Sequence, residues 1–286
     1  MTLVRPFGAH PTGPTLIKTD FSRAGVFACA GVLAALNAQA SQIIDTLRYS
    51  SAFAGLAGLA GISAIIWIAM FATLKLGLDA DRRPLSRTDL LVIAAIVFLS
   101  LLPISIAGKG ALVLCAAYVF ATSRARQQDR KVGLLLLALT GPLVWGRLIL
   151  NLFATPILSL DARITGSLIG TASEGNTVRF ADGTGRVLIE TPCSSVHNMS
   201  LAILLWVTAA VLFDLRLDRR YVAVGVAMAG FMFALNIARL AAIALFPSHY
   251  HDLHAGTAAG LFGWAGLLGV ALIAAAGVTH ASARQQ

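Results

Sequence analysis

Long apolar runs separated by short polar loops dominate the chain. A helix needs about 20 apolar residues to cross the hydrocarbon core of a bilayer, so these runs are predicted to be membrane spans. The runs cover residues 24–40, 52–76, 90–107, 110–122, 132–155, 196–213, 221–246 and 256–278. The fourth is short, and Asn37 and Gln39 interrupt the first. The pattern predicts an all-α membrane protein, a single domain over residues 1–286 with about eight transmembrane helices.

One sizeable polar stretch, residues 156–195, precedes the sixth run. Within it, residues 177–181 and 186–190 have the composition of short strands, and Asp182-Gly183-Thr184-Gly185 between them is a good turn sequence. We therefore expect a small outward β-hairpin that leads into Pro192-Cys193 and covers a site at the membrane surface.

Composition supports the membrane assignment. Hydrophobic residues make up 57% of the chain and charged residues only 12%, with a mean hydropathy of +0.80. A soluble domain carries about a quarter charged residues. The net charge of +9 comes from basic residues in short loops, which is typical of membrane topology rather than of nucleic-acid binding.

The basic residues also predict an orientation. Most lie in one set of alternate loops, whereas the other set holds only Arg48, Lys109, Arg163, Arg179 and Arg186. Positive loops stay in the cytoplasm, so both termini should be cytoplasmic, with residues 1–23 as an N-terminal tail. Residues 156–195 and 247–255 should then face outward. Alternatively, Ala38-Gln39-Ala40 ends a cleavable signal peptide, which would leave seven spans.

The three cysteines differ in setting. Cys29 and Cys115 lie inside apolar runs, where cysteine usually behaves as a small hydrophobe. Cys193 stands where the polar stretch meets the sixth span, and a helix N-terminus favours the reactive thiolate. The chain has no C-x-x-C pair, which argues against thiol–disulfide relay and against metal binding through cysteines. A structural cysteine at an interface is the alternative.

An arginine inside the seventh span is the second unusual feature. Arg239 lies about 10 Å below the outer end of its helix, at 1.5 Å per residue, and Asn236 is on the same face. An arginine at the centre of a membrane helix raises the free energy of membrane insertion by about 2.5–3.5 kcal/mol, even on scales measured by insertion experiments. Arg239 could stabilise a thiolate or an oxyanion, or its side chain could snorkel to the surface.

Histidines precede the last span. His249, His251 and His254 lie near Asp252. The spacing of His251 and His254 is compatible with a metal site, but no further ligand is evident in the sequence. We favour His254 as a general acid/base paired with the cysteine, and His251 as the reserve candidate.

Three further residues are supporting candidates. Arg147 lies inside the fifth span, where it could bind a substrate carboxylate or pair with another polar group. His197 follows Cys193 by four residues, on the same helical face, and could be a local partner. Glu190 precedes the cysteine closely enough to orient the site.

These residues resemble a known family. The order is Glu-x-x-Cys-Ser at 190–194, then a helix, then Asn-x-x-Arg at 236–239, then His254 ahead of a Gly-rich helix. It is similar to the exosortase/archaeosortase family of integral-membrane cysteine transpeptidases. The resemblance places Cys193, Arg239 and His254 in the active site. It covers the second half of the chain, and the first four spans match only as hydrophobic helices. The family's usual Cys-Ser-Gly is Cys193-Ser194-Ser195 here.

The resemblance implies an enzyme of the bacterial inner membrane with an outward-facing site. Its substrates would be exported proteins with a C-terminal tail made of a short motif, a membrane helix and a basic cluster. A thioester on Cys193 would pass to an amine or hydroxyl of an envelope lipid or glycan, and no cofactor is required. Two alternatives remain: a non-catalytic component of envelope polysaccharide assembly, and an anion transporter that uses Arg147 and Arg239.

Overall fold

A computed structural model describes residues 22–49, 59–123 and 127–282. Residues 1–21 of the predicted N-terminal tail, residues 52–58 of the predicted second span and some loop cations lie outside the described residues. The loop cations concerned are Arg5, Lys18, Arg124, Arg126 and Arg284.

The described chain is built mainly from helices. They are α1 (Arg23–Ala38), α2 (Ala40–Tyr49), α3 (Ala64–Leu78), α4 (Arg87–Leu101), α5 (Ser105–Thr122), α6 (Gln127–Thr140), α7 (Gly146–Leu152), α8 (Ala154–Ile169), α9 (Ser195–Leu212), α10 (Arg219–Leu245), α11 (Tyr250–Ala255) and α12 (Thr257–Ser282). A π-helical turn, Gly141–Trp145, joins α6 to α7. All eight predicted runs coincide at least in part with helix.

The described residues contain fewer full spans than predicted. Five helical segments are long and apolar enough to cross a membrane: α5, α6 with α7, α9, α10 and α12. The pair α1 and α2 is bent by 54° at Gln39 and makes a sixth if it counts as one span. Helices α3 and α4 have 15 residues each, which is about 22 Å of helix against a core of about 30 Å. The protein is therefore multi-pass, with five to six spans among the described residues.

Arg23 was expected in a cytoplasmic loop, but it begins α1 and is only 3% exposed. Its Nε lies 2.9 Å from Asp89 Oδ1 on α4, and its Nη1 lies 2.8 Å from Asp129 Oδ2 on α6. Its Nη2 donates to Thr122 Oγ1 on α5 at 2.7 Å. One buried guanidinium thus joins four helices at one end of the bundle.

The predicted hairpin is present and has an additional strand. Strands β1 (Ser173–Glu174), β2 (Thr177–Arg179) and β3 (Arg186–Leu188) form an antiparallel sheet in the order β1-β2-β3. Val178 pairs with Val187 across β2 and β3, and both side chains are buried. Buried and exposed positions alternate along β2 and β3, because one face of the sheet packs against the helices.

The first part of the predicted polar stretch is not a loop. Residues from Ala154 to Ile169 form helix α8, which ends at Gly170 in the left-handed conformation that glycine adopts readily. Leu158 and Ala162, four residues apart, bury one face of α8 in a small core that includes the sheet and the end of α10. Polar residues such as Asp161 and Arg163 interrupt the 16 residues of α8, so a search for long apolar runs gave little signal for this helix.

This small core holds the sheet against α10 next to the candidate site. The N–H of Ala181 donates to the carbonyl of Ala244 in the last turn of α10 at 3.0 Å. Ile189, after β3, is fully buried, and Cys193, Ile237 and Leu240 belong to the same cluster. The sheet therefore fixes the backbone that enters the Cys193 turn.

Candidate functional site

Cys193 ends a single 3-10 turn, Thr191–Cys193, between the sheet and α9. Its N–H donates to the Glu190 carbonyl at 2.9 Å, and Ser194 follows as the N-cap of α9. The side chain is buried, with 9% exposure. Its Sγ lies 3.6 Å from His254 Nε2, although 61 positions separate the two residues. The fold therefore brings a thiol and an imidazole into contact.

Two contacts hold His254, one with its ring and one with its backbone carbonyl. His254 lies in the last turn of α11, and its ring stacks on Tyr250 with centroids 5.3 Å apart and planes 7° apart. Its backbone carbonyl accepts a hydrogen bond from Arg239 Nη2 at 2.5 Å. Tyr250 was not predicted as a site residue; its position four residues before His254 on one helix was the available signal.

Arg239 acts on the backbone that carries the histidine. Its Nε donates to the Leu253 carbonyl at 3.1 Å, in addition to the bond from Nη2 to the His254 carbonyl. The side chain is half-buried, on a face of α10 towards α11. The guanidinium thus ties the α11 turn to α10, and its charge also reaches Cys193.

Asn236, three residues before Arg239, connects the segments of the site. Its Nδ2 donates to the Cys193 carbonyl at 2.9 Å and to Ser195 Oγ at 3.1 Å. Its Oδ1 accepts from Asn198 Nδ2 at 2.9 Å. With 4% exposure, this amide is buried and satisfied, so it fixes the cysteine turn and the start of α9 against α10.

Asp161 on α8 is a site residue that the sequence did not reveal. It is 2% exposed, and its Oδ2 accepts from the Ser195 N–H at 3.0 Å, at the first residue of α9. Burial raises the pKa of this carboxyl, and hydrogen bonds from Ser195 and Ser194 oppose that rise. The carboxyl anchors α8 to the N-terminus of α9, directly after the cysteine turn.

The environment of Cys193 differs from the expected thiolate at a helix terminus. The residue precedes Ser194, the N-cap, so it lies outside the first turn of α9. Burial raises the pKa of the thiol, while the nearby Arg239 guanidinium lowers it in part. Burial therefore disfavours the thiolate, and the adjacent imidazole is placed to accept the proton of the thiol.

The remaining predicted site residues are placed less centrally. Glu190 is exposed, and its backbone carbonyl accepts the Cys193 N–H. His251 is exposed, and no hydrogen bond joins it to the other described site residues. His197 lies in the first turn of α9, and within the described part of the chain no hydrogen bond joins its side chain to Cys193.

Arg147 belongs to a different cluster. Its Nη2 donates to Gln39 Oε1 at 3.0 Å and to Gln42 Oε1 at 3.3 Å, at the bend between α1 and α2. Arg147 thus pairs with neutral amides, and these hydrogen bonds go to neither Cys193 nor His254. Within the described ranges, no group of three or more His, Cys, Asp or Glu side chains could hold a metal ion.

A small polar cavity lies beside the site. It has a volume of about 100 Å³, and its polar wall is formed by Asn198, Asn236 and Arg239. It adjoins a groove of about 360 Å³ between α3, α9, α10 and α12, with which it shares Asn198, Met232 and Gly263. An extended chain that entered through this groove would reach the polar groups that support the cysteine turn.

Comparison with known families identifies the family of the chain. A family model described as transmembrane exosortase (Exosortase_EpsH) matches residues 18–276. The match includes every site residue described above. No curated protein and no solved structure matches the chain.

Proposed function

Because the chain belongs to the transmembrane exosortase family, we propose that it is a membrane-embedded cysteine transpeptidase. It would cleave the C-terminal sorting tail of exported proteins and transfer the proteins to an envelope acceptor. The observation that carries this proposal is the 3.6 Å contact between Cys193 Sγ and His254 Nε2. Asn236 bonds the turn that holds the cysteine, and Arg239 bonds the turn that holds the histidine.

The first half-reaction begins with proton transfer from the thiol to His254. The resulting thiolate attacks the carbonyl carbon of the scissile peptide, and the carbon–nitrogen bond breaks. His254 then returns the proton to the leaving amine, and a thioester remains on Cys193. The positive charge of Arg239 supports the thiolate, since it already opposes the effect of burial on the thiol.

The second half-reaction regenerates the enzyme. An acceptor amine or hydroxyl gives its proton to the imidazole and attacks the thioester carbonyl. The carbon–sulfur bond breaks, and Cys193 recovers its proton from His254. A water molecule in place of the acceptor would give hydrolysis by the same steps, so the site chemistry is compatible with both outcomes.

Arg239 and Asn236 would serve different purposes in this scheme. Arg239 donates to the carbonyls of Leu253 and His254, so it sets the position of the base. Asn236 donates to the Cys193 carbonyl, so it sets the position of the nucleophile. Both side chains line the small cavity, where a developing oxyanion could be stabilised.

The test is mass analysis of intact envelope proteins and their C-terminal peptides from the native host. Strains with the wild-type chain, Cys193→Ala and Cys193→Ser are compared, and Cys29→Ala is the matched control because Cys29 is exposed and distant in sequence. We expect tails to be retained in both Cys193 variants and removed in the control. Identical tails in all strains, with the variant proteins at normal level, would refute a thiol enzyme and favour transport or scaffolding.

A further inference from the structure

A second groove lies far from the Cys193 site, between the start of α10 and the end of α12. It has a volume of about 750 Å³. Its wall is formed by small residues that include Ala223, Ala227 and Ala276. Arg220 at its mouth and Arg239 at the site are 19 residues apart on α10, which is about 28 Å of helix. The groove is therefore separate from the Cys193 site.

The floor of this groove is closely packed. A methyl group added to Gly277 would lie 2.7 Å from the Val224 side chain, so α12 approaches α10 closely there. Tyr221 stacks on Trp206 with centroids 5.5 Å apart, and its hydroxyl donates to the Trp206 carbonyl at 3.0 Å. The three alanines are exposed or nearly so along the wall. Both α10 and α12 are long and apolar enough to span a membrane, so this wall is formed by two candidate spans.

The mouth of the groove is basic. Arg216 and Arg220 line it, together with His280. Asp218 also lines the groove, and its Oδ1 accepts the Tyr221 N–H at 2.8 Å as the N-cap of α10, which leaves two arginines and one acid at the mouth. Among the described residues, neither arginine forms an ion pair in the structure. Two guanidiniums therefore stand at the polar end of an apolar channel.

We propose that this groove binds an anionic phospholipid. The phosphodiester would accept hydrogen bonds from Arg216 and Arg220, and an acyl chain would lie along the alanine wall. Basic pockets between transmembrane helices bind acidic headgroups in this way. A free anion would leave the apolar wall uncovered, and a peptide with a basic end would be repelled at the mouth. The proposal does not depend on the transpeptidase reaction.

Native mass spectrometry of the full chain in neutral detergent tests this site. Phosphatidylglycerol and phosphatidylcholine with the same acyl chains are titrated in parallel, and inorganic phosphate is a third ligand. We expect one phosphatidylglycerol to be retained in preference to phosphatidylcholine. Loss of two arginines should weaken its binding about 30-fold. The variant is Arg216→Gln with Arg220→Gln, and the matched control is Arg219→Gln, which is exposed but does not line the groove.

A second variant, Ala227→Trp, fills the acyl channel without changing charge and should also abolish lipid retention. Size-exclusion profiles establish that each variant is folded. Equal retention of the two lipids would overturn the proposal, and so would equal losses in the control and the double variant. Competition by millimolar inorganic phosphate, with no effect of Ala227→Trp, would identify a small-anion site instead and would likewise refute a lipid groove.

Discussion

Substitution of Asn236 by leucine tests the side-chain amide that bonds the cysteine turn and the start of α9 to α10. Leucine has a similar volume but no hydrogen-bonding group, so the Cys193 carbonyl and the Asn198 amide would lose partners at 2.9 Å each. Ser195 Oγ would also lose the 3.1 Å bond from Asn236, while the Ser195 N–H keeps its bond to Asp161 Oδ2. A buried polar group left without a partner costs about 1–3 kcal/mol, and bonds between membrane helices lie at the low end. We expect a loss of about 2–3 kcal/mol in the free energy of unfolding.

The assay is unfolding by SDS in mixed micelles, followed by tryptophan fluorescence, together with the rate at which iodoacetamide alkylates Cys193. Asn198→Leu is the matched control, because it removes only the bond to Asn236 Oδ1 and leaves the bond from Asn236 to the Cys193 carbonyl intact. We expect that control to lose about 1 kcal/mol and to keep the alkylation rate. Wild-type stability in Asn236→Leu, or equal effects of the two variants on alkylation, would refute the conclusion that Asn236 holds the cysteine turn in place.

Three other perturbations have defined outcomes. The pH at half-maximal alkylation of Cys193 should be higher than that of an ordinary thiol, since burial raises the pKa of Cys193. Arg239→Gln should raise this pH further because a nearby positive charge is lost, and a downward shift would contradict the reasoning. His254→Ala should lower tail cleavage by at least about 100-fold, while the exposed His251→Ala should keep nearly full activity in the same mass assay. Arg23→Met should destabilise the bundle by about 3–5 kcal/mol in SDS titration, because Asp89 and Asp129 would each lose a buried ion pair with the guanidinium. A stability equal to wild type would refute that cost.

Much of the helical architecture was predictable because each apolar run carries its own signal. Each of the eight runs overlaps helix, and the turn at 182–185 predicted the sheet that the structure contains. Span number was less predictable. A bend at Gln39 and two 15-residue helices depend on how neighbouring helices pack, so composition alone gave eight where the described residues support five to six.

The sequence by itself determined the residue types of the candidate site and their order along the chain. Arg239 stood out because a charged group inside a span is costly. Cys193 stood out at the junction of the polar stretch and the sixth span, and His254 just before the last span. Only the tertiary structure decided what each one contacts. The structure brings the thiol to the imidazole, turns Arg239 towards two backbone carbonyls, and pairs Arg147 with Gln39 and Gln42.

The same reason explains why Asp161, Tyr250 and the connecting role of Asn236 were missed or underestimated. Asp161 acts on a backbone N–H 34 positions away, and Asn236 acts on a carbonyl 43 positions away. Hydrogen bonds of this kind have no periodicity in sequence, because they depend on how α8, α9 and α10 pack around the small core. The chain's pattern fixes which segments are helices, whereas the packing of those helices decides which polar groups meet.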